Sequence, residues 1–295
     1  MSAIVDVPIE SAGALHADRQ EARRELIGEL VRSPVFLIGA FVLLVWIVCA
    51  IFGSAIAPHS AYAQNLLGIN KSPSSAHLFG TDQLGRDMFS RVIVGARDIM
   101  IIVPLATILG TVAGSAVGLV MGYFRGVTDD VISRFVEAFL AIPLVVTGVV
   151  VISALGRSNL VIILVIGIVF TPLIARTVRA AVLFERELDY VSAARLRGER
   201  APYIMFVEIL PNVAAPILVE FTVRLGYAVF TVATLSFLGF GVAPPSPDWG
   251  LEVASNYGQV VAGFWWEVLF DALAIASLVI AVNLISDSFE RVLER

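Results

Sequence analysis

The sequence predicts an all-α polytopic membrane protein with six membrane-crossing helices. Three observations carry this reading: 58% of the 295 residues are hydrophobic, only 15% are charged, and the mean hydropathy is +0.88. A soluble domain is roughly half apolar and about a quarter charged. The apolar residues are also gathered into runs of spanning length, about 20 residues each.

The charged N-terminal segment, 1–33, is expected on the cytoplasmic side, with a short amphipathic helix from Asp18 to Val31. The first span runs from Pro34 to Ala57. Ala55-Ile56-Ala57 imitates a signal-peptide cleavage site, but the long preceding stretch has more Asp and Glu than Arg, and Pro58 follows directly. A signal peptide starts short and basic, so this helix is read as retained. An outer segment, 58–96, holds a loop rich in Asn, Ser, Gly and Pro from Tyr62 to Ser75. Its apolar stripe from Phe89 to Ile93 is expected to be buried.

The second span runs from Asp98 to Phe124, with Gly110, Gly114, Gly118 and Gly122 every four residues. That spacing lets two helices approach closely, and both an internal contact and a contact between subunits fit it. The third span is Phe135 to Leu155, with Arg134 and Glu137 spaced for a local ion pair. The fourth is Leu160 to Ala180 and the fifth Ala215 to Leu238, which contains Glu220 and Arg224 one turn apart. A charge at the bilayer centre costs about 2.5–3.5 kcal/mol on insertion scales, so these two should face protein or water. From Asp248 to Trp266 the chain is polar and aromatic, and Trp249, Tyr257, Trp265 and Trp266 suit a membrane interface. The sixth span is Val268 to Ile285; Asp271, near its outer end, is expected to be hydrated. A tail, 288–295, closes the chain.

Six spans place both termini on one side. Of the 20 Lys and Arg residues, Lys71, Arg86, Arg91, Arg97 and Arg157 would fall in outer segments if the N-terminus is inside. Arg224 lies in a span and the remaining 14 fall inside, so both termini are assigned to the cytoplasm.

The composition excludes several functions. A net charge of −5 argues against a nucleic-acid partner. A single cysteine, Cys49, excludes an intrachain disulfide framework and a multi-cysteine metal site. There is no Gly-x-x-x-x-Gly-Lys-Ser/Thr loop, and the only lysine is Lys71. An intramembrane enzyme would need paired catalytic groups within the spans, and none is present. A stand-alone secondary transporter would show inverted repeats or broken helices in both halves. His16, His59 and His77 lie outside the spans; His59 and His77 share the outer side and could bind a metal incidentally, but two imidazoles across a loop are weak evidence for a site, and none is assigned.

The longest and most basic inner segment, 177–214, speaks most clearly. From Glu187 to Gly198 it reads as a short helix, acidic at its start (Glu187, Asp189) and basic at its end (Arg195, Arg197), as the helix dipole favours. Gly198 can close it in the left-handed conformation. Pro202 fits the first turn of a second helix, which Pro211 ends. Tyr190, Ala193, Ala194 and Arg197 share a face by helical spacing. That face suits docking into a groove of another protein; an amphipathic connector on the membrane surface fits as well.

This segment resembles the EAA coupling loop of binding-protein-dependent ABC importers, specifically the peptide/nickel permease branch. Further stretches resemble the same branch in the same order: Phe79 to Asp87 with Ser90-Arg91 and Gly95-Ala96-Arg97; Asp129, Arg134, Glu137 and Pro143; Leu235 to Val242 with Pro244-Pro245 and Pro247 to Gly250; and Asn283 with Asp287. The likeness spans about Leu30 to Asp287. The chain departs from the pattern at Ser192, where Glu is usual, and at Glu208, where a basic residue or His is common. Val232 replaces a usual acid, and Asp271-Ala272 a Pro-Gly.

The resemblance implies a type I ABC importer permease fold with a five-helix core, 97–287, in a bacterial inner membrane. It implies a sister permease, two cytoplasmic ATPase subunits (or one fused ATPase) and an extracytoplasmic binding protein as partners, besides the bilayer. ATP would sit on the partners, with no cofactor, metal or catalytic residue in this chain. Tyr190, Ala193, Ala194, Arg197, Gly198 and Pro211 would form the ATPase-coupling loop. Glu220 and Arg224 would line the pathway or simply satisfy each other. Di- and oligopeptides are the branch's commonest cargo, with nickel chelates and other small solutes as alternatives.

Overall fold

The structure, a computed structural model, describes residues 28–293. Among these the secondary structure is helical, and the one isolated bridge pairs Thr81 with Asp87. Of the helix expected from Asp18 to Val31, only residues from 28 onward fall within the described range, and 28–32 is helical.

Helix α1, Pro34–Ile56, starts where the Ser33 hydroxyl accepts from the Phe36 amide, with Pro34 in the first turn. It lies at the periphery, and only Gly39 and Gly53 are buried. At these points its backbone presses on its neighbours: a Cβ on Gly39 would lie 2.8 Å from the Ala281 carbonyl oxygen.

Helix α2, Met88–Phe124, begins well before the expected Asp98, because the Asp87 carboxylate caps it. The stripe around Val92 and Ile93 is buried, as is Arg91. Its 37 residues make a rod about 55 Å long. It packs chiefly on α5, Asn159–Glu185. A Cβ on Gly114 would lie 2.7 Å from Ile174 Cβ, and one on Gly122 2.7 Å from Val182 Cβ. The four-residue glycine ladder therefore serves internal packing.

The expected single span from Phe135 to Leu155 is broken. Helix α3, Gly126–Leu140, and α4, Leu144–Leu155, meet at an angle of 83°. Pro143 sits at the break in an extended conformation, and proline also drives the residue before it out of the helical region. Asp129 fixes α3 to α5 by a bidentate pair with Arg179, both contacts 2.6 Å. Arg134 and Glu137 pair at 3.3 Å on the exposed side of α3.

A short helix, α6, Asp189–Leu196, follows, and a helical stretch from Ala201 to Asn212 leads into α7, Ala214–Phe237. Helix α8, Trp249–Asn256, and α9, Trp266–Leu293, complete the chain. Five of these helices (α1, α2, α5, α7, α9) are long and apolar enough to cross a membrane, and the α3–α4 pair makes a bent sixth. The core joins α2, α5, α7 and α9 around Ile102, Ile166, Phe170, Val229, Leu235 and Leu278.

Asp271 is buried, where the sequence reading expects a hydrated position. It lies in α9, and neither carboxylate oxygen has a hydrogen-bond partner among the described residues. The segment before α2 roofs this end of α9: Phe79 stacks on Phe270 at 3.8 Å, and the Trp266 indole donates to the Thr81 carbonyl at 3.1 Å.

Candidate functional site

The segment between α5 and α7 is built on a firm base. Val191 and Ala194, three residues apart, point into the chain's own core and are fully buried. Ala194 therefore does not share an outward face with Ala193 and Arg197, as helical spacing suggested; that spacing identifies a stripe without saying which body it packs against. Ser192, Ala193, Arg195, Leu196 and Arg197 are the outward side chains, and Leu196 is 90% exposed.

The end of α6 is a Schellman closure. The Gly198 amide donates to the Arg195 carbonyl at 3.0 Å and the Glu199 amide to the Ala194 carbonyl at 3.2 Å. Gly198 takes φ +76°, which a residue without a Cβ adopts freely. Tyr190 is half-buried and donates its hydroxyl to Glu185 at 2.6 Å. Burial, together with this carboxylate, pushes the phenol up to about 12, so it stays protonated.

Arg197 pairs with Glu208 at 3.0 Å. Glu208, which departs from the family pattern, thus anchors the loop to the next helical stretch. That stretch widens into i→i+5 turns over Ile204–Ile209, immediately before the exposed Pro211. Proline lacks an amide donor and crowds the carbonyl four residues back, and the wider turns relieve both conflicts. The helix ends at Asn212, one residue past Pro211, and Val213 breaks the run before α7.

The loop is tied to the nearer end of α2. Arg186 donates to the Tyr123 carbonyl at 2.5 Å, Arg125 pairs with Glu187 at 2.8 Å, and the Arg195 guanidinium lies over the Tyr123 ring. Sequence reading missed these contacts because their partners lie some 60 residues apart.

In α7, Glu220 and Arg224 meet at 2.5 Å, and Thr177 on α5 donates to the second Glu220 oxygen at 3.3 Å. Both side chains are largely buried and both are satisfied within the chain. At the far end of the bundle a polar cap closes over the core. Fully buried Arg91 binds Glu252 of α8 and the Ala61 carbonyl, and Arg86 pairs with Asp82 at 2.5 Å. The Trp249 indole donates to the Val92 carbonyl at 2.9 Å. Asp248, 4% exposed, caps α8 through the Leu251 amide, and burial pushes its carboxyl up to about 6. These groups hold one another in place.

Comparison with known proteins agrees with this architecture. Residues 114–295 match the family described as binding-protein-dependent transport system inner membrane component, and residues 20–73 match the N-terminal transmembrane domain of oligopeptide transport permease C. The dipeptide transport system permease protein of Escherichia coli (strain K12) is 40% identical over 266 residues, covering 87% of this chain and 88% of that protein. A putative peptide transport system permease protein of Brucella suis is 36% identical over 265 residues, 90% of this chain and 89% of the other. Among solved structures, the inward-facing MetNI methionine ABC transporter aligns with a TM-score of 0.57 at 21% identity, covering 70% of this chain and 96% of that one; this shows the fold. The chain therefore belongs to the family of binding-protein-dependent transport system inner membrane components.

Proposed function

We propose that this chain forms half of the pathway of an ATP-driven importer of di- or oligopeptides, its α6 loop being the point where partner ATPases act. The observation that carries the coupling role is the construction of that loop. Buried Val191 and Ala194, the Gly198 closure and the contacts of Arg186 and Arg125 give it a fixed base, while Ala193, Leu196 and Arg197 face outward. A seated helix with an apolar tip suits insertion into a groove on a partner protein. Tyr190, Gly198 and Pro211 shape the loop, and Ala194 supports it from within.

The excess of arginine on the loop side supports an orientation with both termini in the cytoplasm of a bacterial cell. The pathway is completed by a sister permease, two ATPase subunits supply ATP hydrolysis, and an external binding protein delivers cargo. Closure of the ATPases would favour one of two arrangements of the spans through contacts that differ between them. The peptide assignment is supported by the relatives, which are named as dipeptide, di/tripeptide or peptide permeases.

The test is ATP-dependent uptake of a labelled dipeptide into proteoliposomes holding the assembled complex and its binding protein. Leu196→Asp alters a side chain that makes no core contact, so the variant should fold and pair with its sister but lose the ATPases and uptake. An assembled, ATP-hydrolysing complex that takes up no dipeptide would remove the peptide cargo. Uptake unaffected by Leu196→Asp would remove the coupling role.

A further inference from the structure

The polar cap brings together three metal-ligating side chains from separate stretches of chain: His59 just beyond α1, His77 in the connecting segment, and Asp87 at the start of α2. His77 Nδ1 lies 2.8 Å from Asp87 Oδ1, and His59 Nδ1 lies 3.7 Å from the same oxygen. One ligand atom from each residue falls within 4.8 Å of the others. The two imidazole ring centres are 4.9 Å apart.

The cluster is supported from behind. The Asp87 side chain is 2% exposed, and its two oxygens have separate tasks. Oδ2 accepts from the Ser90 amide at 2.9 Å and the Ser90 hydroxyl at 2.6 Å, leaving Oδ1 turned toward both imidazoles. The same hydroxyl accepts from the His59 amide at 3.2 Å, so Ser90 orients the carboxylate and also holds the backbone that carries His59. His77 is fixed through its own backbone: its amide donates to the Ser74 hydroxyl at 3.2 Å, and its carbonyl accepts from the Ser74 amide at 2.8 Å. Such partners behind the ligands are a regular requirement of metal sites. The His59 side chain remains 46% exposed and that of His77 22%, so the cluster is open on one side.

We propose that His59, His77 and Asp87 bind a divalent transition-metal ion of the zinc class, with water completing its coordination. Two imidazoles and one carboxylate suit zinc, nickel, cobalt or copper, whereas calcium and magnesium prefer all-oxygen sites. Zinc–nitrogen bonds of about 2.0–2.1 Å in a tetrahedron put ligand atoms roughly 3.3 Å apart. The two distances to Asp87 Oδ1 bracket that value, and the two imidazole ligand atoms lie within 4.8 Å of each other, so the three side chains would have to close slightly around the ion. A bound ion would staple the exit of α1, the connecting segment and the N-terminus of α2, the same segment that roofs α9 through Phe79 and Thr81. That the site faces the outer compartment rests on the orientation proposed above; ion binding does not.

The test uses the full-length untagged chain in its complex, in detergent and stripped of metal, so sidedness plays no part. Zinc is titrated against a chromophoric chelator, with cobalt absorption reporting the ligand field and magnesium as the negative control. One zinc per chain is expected, displaced by cobalt, with at least tenfold weaker binding in His59→Ala and in His77→Ala and a smaller loss in Ser90→Ala. His59 is half exposed, so His59→Ala should melt like the native chain without metal, which separates ligand loss from misfolding. Absence of stoichiometric zinc binding by the native chain, or equally tight binding by the His59→Ala/His77→Ala double variant, would overturn the proposal.

Discussion

Gly118 offers a direct test of how far the pairing of α2 with α5 sustains the bundle. A Cβ there would lie 2.7 Å from the Ala175 carbonyl oxygen, 2.7 Å from Val178 Cβ and 3.0 Å from the Arg179 amide nitrogen. Two of these three are backbone atoms, which cannot rotate away. Comfortable contact between carbons is about 3.5–4.0 Å, so relief requires about 1 Å of added separation. Overpacking costs about 1–3 kcal/mol, and alanine returns about 1 kcal/mol of helix propensity over glycine. Gly118→Ala should therefore destabilise by about 1 kcal/mol net. Gly118→Val adds two more carbons to the same closed space and recovers less propensity, for a loss of about 3 kcal/mol. Gly258→Ala is the control, because nothing lies within 4 Å of its Cβ. Thermal melts of the solubilised complex, followed by tryptophan fluorescence, should rank Gly258→Ala with the native chain, Gly118→Ala below and Gly118→Val lowest. A Gly118→Val chain that melts with the native one would refute the packing argument.

Two other perturbations test charges the sequence reading had weighed. Glu220→Ala leaves Arg224 largely buried without its partner and should destabilise by about 1–3 kcal/mol, a buried-pair loss discounted for partial exposure. Adding Arg224→Ala should recover part of that loss in a double-mutant cycle; a coupling of zero would mean the pair does not hold α7. Asp248 carries a raised folded-state pKa of about 6, so the unfolded chain gives up this proton at lower pH than the folded one. Its contribution to stability should then fall as pH rises from about 4 to 6 and stay low above that window. Asp248→Asn keeps a good helix cap and removes the titration; melts of the two proteins from pH 4.5 to 7 should diverge, and parallel profiles would count against the assignment.

The spans themselves were legible, because runs of apolar residues are what a bilayer demands of any crossing helix. The start of α2 at Met88 was not. Arg91 looks like a solvated charge in one dimension, and only its pairing with Glu252, far along the chain, makes its burial tolerable. The break at Pro143 was signalled by the proline, but composition alone cannot distinguish a bent pair from a straight span. In the α6 loop, the closure at Gly198 followed from local chemistry, whereas the inward turn of Ala194 depended on which body the helix packs against. Asp271 failed for the same reason: its place near the end of a span suggests water, whereas the packing of the folded chain buries it completely. The His59, His77 and Asp87 cluster is the clearest case, since no spacing rule joins residues that meet only after the connecting segment has folded back on α2.

These contacts also bear on how force could cross the molecule under the proposed coupling. The α6 loop grips α2 at Tyr123 through Arg186, while the far cap grips the same helix at Val92 through Trp249 and at Arg91 through Glu252. Between those points α2 runs unbroken, with Pro104 within it, and is zipped to α5 by the glycine ladder. A push on the loop would therefore move α2 and α5 together with the cap, without a chain of side-chain rearrangements. Bending would be taken up where the helices are already interrupted, at the break before Leu144 and at the Ile204–Val213 stretch ahead of α7. Rigid bodies joined at a few interrupted segments are the ordinary construction of hinge motion. On this argument α7, which hangs from the interrupted stretch and carries the Glu220–Arg224 pair, would be the helix to shift against the α2–α5 spine. The internal satisfaction of that pair lets it travel without exposing an unpaired charge to lipid.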